Sequence, residues 1–116
     1  MNQTVEEKSF AFAIRIVNLY KHLTDTKKEF VLSKQLLRCG TSIGANVAES
    51  QEAQSVADFV SKLSVSLKEA RETEYWIRLM KETGFLTDAE FSSIVADCKE
   101  LEKMLTAIIK TTKGKE

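Results

Sequence analysis

Apolar residues recur at spacings of three and four along four stretches of the chain, the repeat of one face of an α-helix. The first carries Phe10, Ala13, Ile14, Val17 and then Leu19 or Tyr20, and predicts a helix over roughly 5–23 whose stripe is expected to face a core. The second, from about Lys27, carries Val31, Leu32, Leu36, Cys39, Ile43 and Val47 and predicts a helix over 27–53. The third runs through Phe59, Val60, Leu63, Leu67, Ala70, Ile77 and Met80, over 56–83. Gly84 follows as a left-handed cap, with Phe85 and Leu86 to fill the corner. The fourth, over 88–111, shows Phe91, Ile94, Val95, Cys98, Leu101, Leu105, Ile108 and Ile109 before a basic tail from Lys110 to Lys115.

A second pattern marks where these helices begin. Ser or Thr followed three residues later by Glu or Asp occurs at Thr4–Glu7, Thr26–Glu29, Ser55–Asp58 and Thr87–Glu90. In such a box the hydroxyl accepts from an orphan backbone N–H and the acid reaches back to the cap residue, near the positive end of the helix dipole. Four boxes before four periodic stretches predict four helices. Short connections make neighbours antiparallel, so residues 1–116 are expected to form one all-α domain, an up-down-up-down four-helix bundle.

Composition agrees. The chain has 116 residues, no proline and four glycines, which disfavours a turn-rich β fold. No apolar run is long enough for a membrane span, and no charged-then-apolar leader opens the sequence, so the expected compartment is cytoplasmic. Asn2-Gln3-Thr4 spells a glycosylation acceptor, idle without a secretory route. Two cysteines, Cys39 and Cys98, are too few for a disulfide framework or a zinc site and read as reduced, buried thiols. One histidine, His22, excludes a histidine pair and suits a helix C-terminus. No nucleophile and base stand in a telling order, so no catalytic, cofactor or metal residue is assigned, and neither enzyme activity nor a small-molecule substrate is expected.

The second helix is unusual. Gly40, Gly44 and Ala48 make a bare ridge at every fourth position, the mark of a close helix crossing, although each glycine costs about 1 kcal/mol in a helix. On another face Gln35, Arg38, Ser42, Asn46 and Glu49 recur at three, four, four and three. This polar row is either an ordinary wet face or a hydrogen-bonded network buried between helices or subunits. Glu69 and Glu74 sit among apolar positions of the third helix. Glu74, if buried, needs a cation such as Arg38 or Arg71, or a neighbouring subunit. Trp76 is either core or an interface anchor.

Seventeen basic and seventeen acidic residues cancel, but not locally: Lys8 to Arg38 carries a net +5 and Glu49 to Glu102 a net −6. A basic early half could meet the acidic half of a second copy. Alternatively Lys8, Arg15, Lys21, Lys27, Lys28 and Lys34, with the tail lysines, could contact RNA or DNA phosphates.

At QLLRCGTSIGANVAES (35–50), at ADFVSKLSVSLKEARETEYWIRLMKETGFL (57–86) and at FAFAIRIVNLY (10–20) the chain resembles the bacterial 23S rRNA intervening-sequence proteins. Its Ser42, Ile43, Asn46, Val47, Ala48 and Glu49 match the family's core motif, while Ser50 stands where the family usually has glycine. The resemblance implies an antiparallel four-helix bundle that associates as a homopentameric ring. It also implies a structural or interface role for the polar row of the second helix. A related branch, the accessory protein of diversity-generating retroelements, is strongly basic and binds reverse transcriptase and nucleic acid, and the neutrality of this chain departs from it. The reading that follows is a non-enzymatic assembly module, with a nucleic-acid or reverse-transcriptase accessory role as the alternative.

Overall fold

A computed structural model describes residues 3–115; Asn2 of the glycosylation triplet lies outside them. Four helices account for almost all of it: α1 (Val5–Asp25), α2 (Leu32–Ser50), α3 (Val56–Glu82) and α4 (Asp88–Gly114). Contacts between them run in opposite senses, which makes each neighbouring pair antiparallel. Ile16 and Ser9 of α1 meet Gly40 and Gly44 of α2; Glu49 and Arg38 of α2 meet Lys62 and Glu72 of α3; Lys81 and Ala70 of α3 meet Asp88 and Cys98 of α4. α4 then closes on α1 through Lys8–Glu100 and Arg15–Asp97. The bundle measures 48 × 24 × 23 Å, and its long axis matches the roughly 40 Å of a 27-residue helix.

The caps explain most of the boundaries. Thr4 and Thr87 form complete capping boxes with Glu7 and Glu90. Ser55 accepts from the Asp58 N–H, but the Asp58 carboxylate turns to the Gln54 N–H instead of Ser55. Gly84 takes φ +87°, and the Phe85 N–H closes back on the Met80 carbonyl at 2.9 Å. This left-handed closure ends α3 and leaves Leu86 buried in the corner.

Thr26–Glu29 is not a capping box. Thr26 is the C-cap of α1, its N–H bonded to the His22 carbonyl. Glu29 caps α2 from outside the helix, accepting from the N–H groups of Val31, Leu32 and Ser33 at 3.1, 2.7 and 2.8 Å. α2 therefore starts five residues later than the spacing predicts and stops three earlier, while α1 and α4 run on to Asp25 and Gly114. Burial is the largest single influence on the Glu29 carboxyl and opposes ionisation. The hydrogen bonds from Ser33, Leu32 and Val31 together outweigh it and hold the group below the usual carboxylate range. Ser50 ends α2 buried, its hydroxyl donating to the Val47 carbonyl at 2.6 Å.

The core is built from Phe12, Ile16 and Leu23 of α1, Leu36, Cys39, Ile43 and Val47 of α2, Leu63, Ala70, Ile77 and Met80 of α3, and Ile94, Cys98, Leu101 and Leu105 of α4. Each large side chain removed from water contributes about 1.5–3 kcal/mol. Two buried hydroxyls are satisfied within it: Ser66 donates to the Ile43 carbonyl at 2.8 Å, tying α3 to α2, and Thr73 to the Glu69 carbonyl at 2.7 Å. Among the described residues every buried side-chain polar atom has a partner. The interior is complete as a single copy.

The stripe Phe10, Ile14 and Val17 does not enter this core. Phe12 and Ile16 do, and at about 100° per residue Phe10 and Phe12 point about 160° apart. α1 is apolar on two opposite faces, and the sequence spacing singled out the outward one.

Candidate interaction surface

The outward face of α1 leaves Phe10 68% and Ile14 51% exposed, one turn apart, with Ala13 and Val17 half-buried beside them. A second apolar patch lies past the other end of α1, where Phe30 and Val31 are 60% and 73% exposed. Val31 was expected on the buried stripe of α2. It is instead the N-cap residue, because Glu29 holds the chain outside the helix up to that point. Large apolar groups left in water beside a fully satisfied interior make this face the candidate interaction surface.

The bare ridge of α2 meets α1 at two of its three positions. A Cβ on Gly40 would lie 2.8 Å from Ile16 Cγ1, and one on Gly44 3.2 Å from the Ser9 carbonyl oxygen. Ala48, the third, is exposed, so the close approach ends at Gly44.

The polar row of α2 is a surface feature of the single copy. Gln35 and Glu49 are exposed, and Ser42 and Asn46 half-buried. Ser42 and Asn46 donate to carbonyls of their own helix, those of Arg38 at 2.6 Å and Ser42 at 2.8 Å. Only Arg38 and Glu49 reach another helix. Arg38, 51% exposed, donates to Glu69 at 3.2 Å and to Glu72. Glu49 lies 3.8 Å from Lys62. Trp76 is half-buried and its indole donates to Glu72 at 3.1 Å. That bond, and then Arg38, hold the Glu72 carboxyl below its usual range against the opposing effect of burial.

Glu74 takes no part in this cluster. It lies on the other flank of α3, in the groove to α4, with Glu102 opposite and Arg71 beside it. Burial and the facing Glu74 push the Glu102 carboxyl up to about 7. Spacing within α3 could not find this pair, because Glu102 comes from another helix.

Two of the cations proposed to meet nucleic acid are engaged inside the chain. Lys8 lies 3.1 Å from Glu100 and Arg15 2.6 Å from Asp97, with Arg15 also donating to the Ser93 hydroxyl at 2.9 Å. Lys21, Lys27, Lys28 and Lys34 are exposed, Lys28 with a left-handed φ of 55°. The basic early half thus meets acidic later residues within one copy.

Cys39 and Cys98 are both free and buried. No Cα of α2 comes within 8 Å of a Cα of α4, beyond the span of a disulfide. Burial raises both thiols, Cys39 to about 11 and Cys98 further, so neither is a ready nucleophile. Among the described residues no three His, Cys, Asp or Glu side chains cluster as a metal site, and no helix is long and apolar enough to cross a membrane.

The molecule is therefore an antiparallel four-helix bundle with an apolar outward face on its first helix. The profile of the 23S rRNA-intervening sequence proteins matches residues 1–107, and the chain belongs to that family. Among solved structures it is similar to a protein of unknown function from the S23 ribosomal protein family of Bacteroides thetaiotaomicron. The two are 55% identical, over 92% of this chain and 99% of that one, with a TM-score of 0.92. No curated protein matches.

Proposed function

We propose that the protein is a non-enzymatic assembly module whose working form is a ring of identical copies, five by the family resemblance. One observation carries this reading: the outward α1 face with Phe10 and Ile14 in solvent on a bundle whose interior is already complete. Two separate apolar patches, the α1 face and the Phe30–Val31 corner, suit head-to-tail association. One copy presents the first patch to the second patch of the next, and a closing rotation yields a ring. Two unpaired buried thiols suit a reducing compartment, which supports the cytoplasmic placement.

The test is Phe10→Glu with Ile14→Glu. Both side chains stand in water in the single copy, so the variant is expected to keep the helical circular dichroism of the wild type while its native mass falls to that of one chain. A helical variant that keeps the wild-type mass refutes the assignment of this face.

A further inference from the structure

α4 carries Lys99, Lys103, Lys110 and Lys113 at helical spacings of four, seven and three, all exposed and none in an ion pair among the described residues. They lie along one line of the helix, roughly 21 Å long at 1.5 Å per residue. Across the groove, α3 presents Arg71, Tyr75 and Arg78 at spacings of four and three, all exposed. Two open cavities of about 620 and 460 Å³ fill the seam. The first is lined by Arg71, Tyr75 and Arg78 and the second by Arg71, Lys99 and Lys103. Glu74 and Glu102 line both cavities and Glu82 the first.

We propose that this α3–α4 seam binds single-stranded nucleic acid, with Lys99 and Lys103 of α4 on one lip and Arg71 and Arg78 of α3 on the other contacting phosphates, the Tyr75 ring stacking on a base, and Lys110 and Lys113 continuing the α4 row beyond the cavities. Four cations, Arg71, Arg78, Lys99 and Lys103, against the three carboxylates Glu74, Glu82 and Glu102 leave the cavity lining net positive although the whole chain is neutral. The raised Glu102 carboxyl lowers the opposing charge near neutral pH. A cationic groove with an aromatic on its wall is the combination that single strands use. A membrane is the poorer fit. Between the lysines α4 offers Thr106 and Ala107, not the large apolar groups that would enter a bilayer. Phosphates and base faces are common to RNA and DNA, so both are expected to bind. This surface is distinct from the α1 face and does not depend on it.

The experiment is fluorescence anisotropy of the full chain with labelled 20-nucleotide oligo-U and oligo-dT. Wild type is expected to bind both at 50 mM salt and to weaken roughly 50–100-fold by 250 mM, as about four neutralised phosphates require. Lys99→Glu with Lys103→Glu should weaken binding at least tenfold, and Lys21→Glu with Lys34→Glu, on exposed sites elsewhere, should change it less than twofold. Tyr75→Ala should weaken it several-fold with the salt slope unchanged. Circular dichroism confirms that each variant is folded. The inference is overturned by no binding at 50 mM salt, by equal losses from the two lysine pairs, or by binding to phosphatidylserine vesicles and not to the oligonucleotides.

Discussion

A methyl group on Gly40 would come within 2.8–3.0 Å of three atoms of Ile16, which is itself wholly buried. The two helices touch there with no room for a side chain, and this contact sets the register of α1 on α2. Gly40→Ala is expected to destabilise the fold by about 1–2 kcal/mol, since the overpacking exceeds the roughly 1 kcal/mol gained in helix propensity. Thermal unfolding should show a melting temperature lower by several degrees. Gly44 faces the Ser9 backbone at 3.2 Å, so Gly44→Leu is expected to cost on the order of 2 kcal/mol or more. An unchanged melting temperature in both variants would contradict the close crossing.

Glu29 and Thr26 separate the two descriptions of the α1–α2 connection. With three backbone N–H groups on its carboxylate, Glu29→Ala is expected to cost about 2 kcal/mol, the upper range for loss of a helix cap. Thr26→Ala, which removes no cap side chain, should stay within about 0.5 kcal/mol. Urea titration of the two variants measures the difference, and the reverse order would restore Thr26 as the cap.

Arg38 joins two carboxylates while half in water. In high dielectric such a cluster is worth little, so Arg38→Ala is expected to lose about 1 kcal/mol, less in 0.5 M salt. A loss of about 3 kcal/mol, insensitive to salt, would mean that a neighbouring copy buries the cluster.

Glu102 ionises later in the folded chain, at about 7 against an ordinary 4.5. Between those pH values the unfolded chain releases this proton and the folded chain retains it. Its contribution therefore falls as pH rises through the window and is level above it. Glu102→Gln removes the penalty. After allowance for solvent screening, the variant should gain on the order of 1 kcal/mol over wild type at pH 8 and nothing at pH 4. Carboxylates such as Glu7, held low by the Thr4 backbone N–H, act alike in both proteins and cancel in the comparison. A melting-temperature difference that does not vary with pH would contradict the Glu74–Glu102 assignment.

These residues also mark what the amino-acid order could disclose. Caps are local, so Thr4, Ser55, Thr87 and Gly84 revealed three helix starts and a corner. The fourth box failed because Thr-x-x-Glu is equally compatible with the end of one helix followed by an outlying cap for the next. Which face of α1 is inside was not legible, since Phe12 and Ile16 repeat with the same period as Phe10 and Ile14. The polar row of α2 was visible as spacing, but its exposure depends on where α3 lies. The segmental charge imbalance was real in sequence, yet Lys8–Glu100 and Arg15–Asp97 neutralise part of it in space. Glu102 was missed because the Glu74 it faces comes from α3, and Lys99 and Lys103 because the groove they line is shared with α3, whereas Lys110 and Lys113 were visible as part of the basic tail.

The native mass of the wild-type protein is the most direct measurement of the central idea. Sedimentation equilibrium at micromolar concentration and moderate salt should return a closed multiple of 13.1 kDa, five by the family resemblance, independent of loading over a tenfold range. A single species of 13.1 kDa under those conditions would show that Phe10 and Ile14 remain in water and that no sister copy covers them.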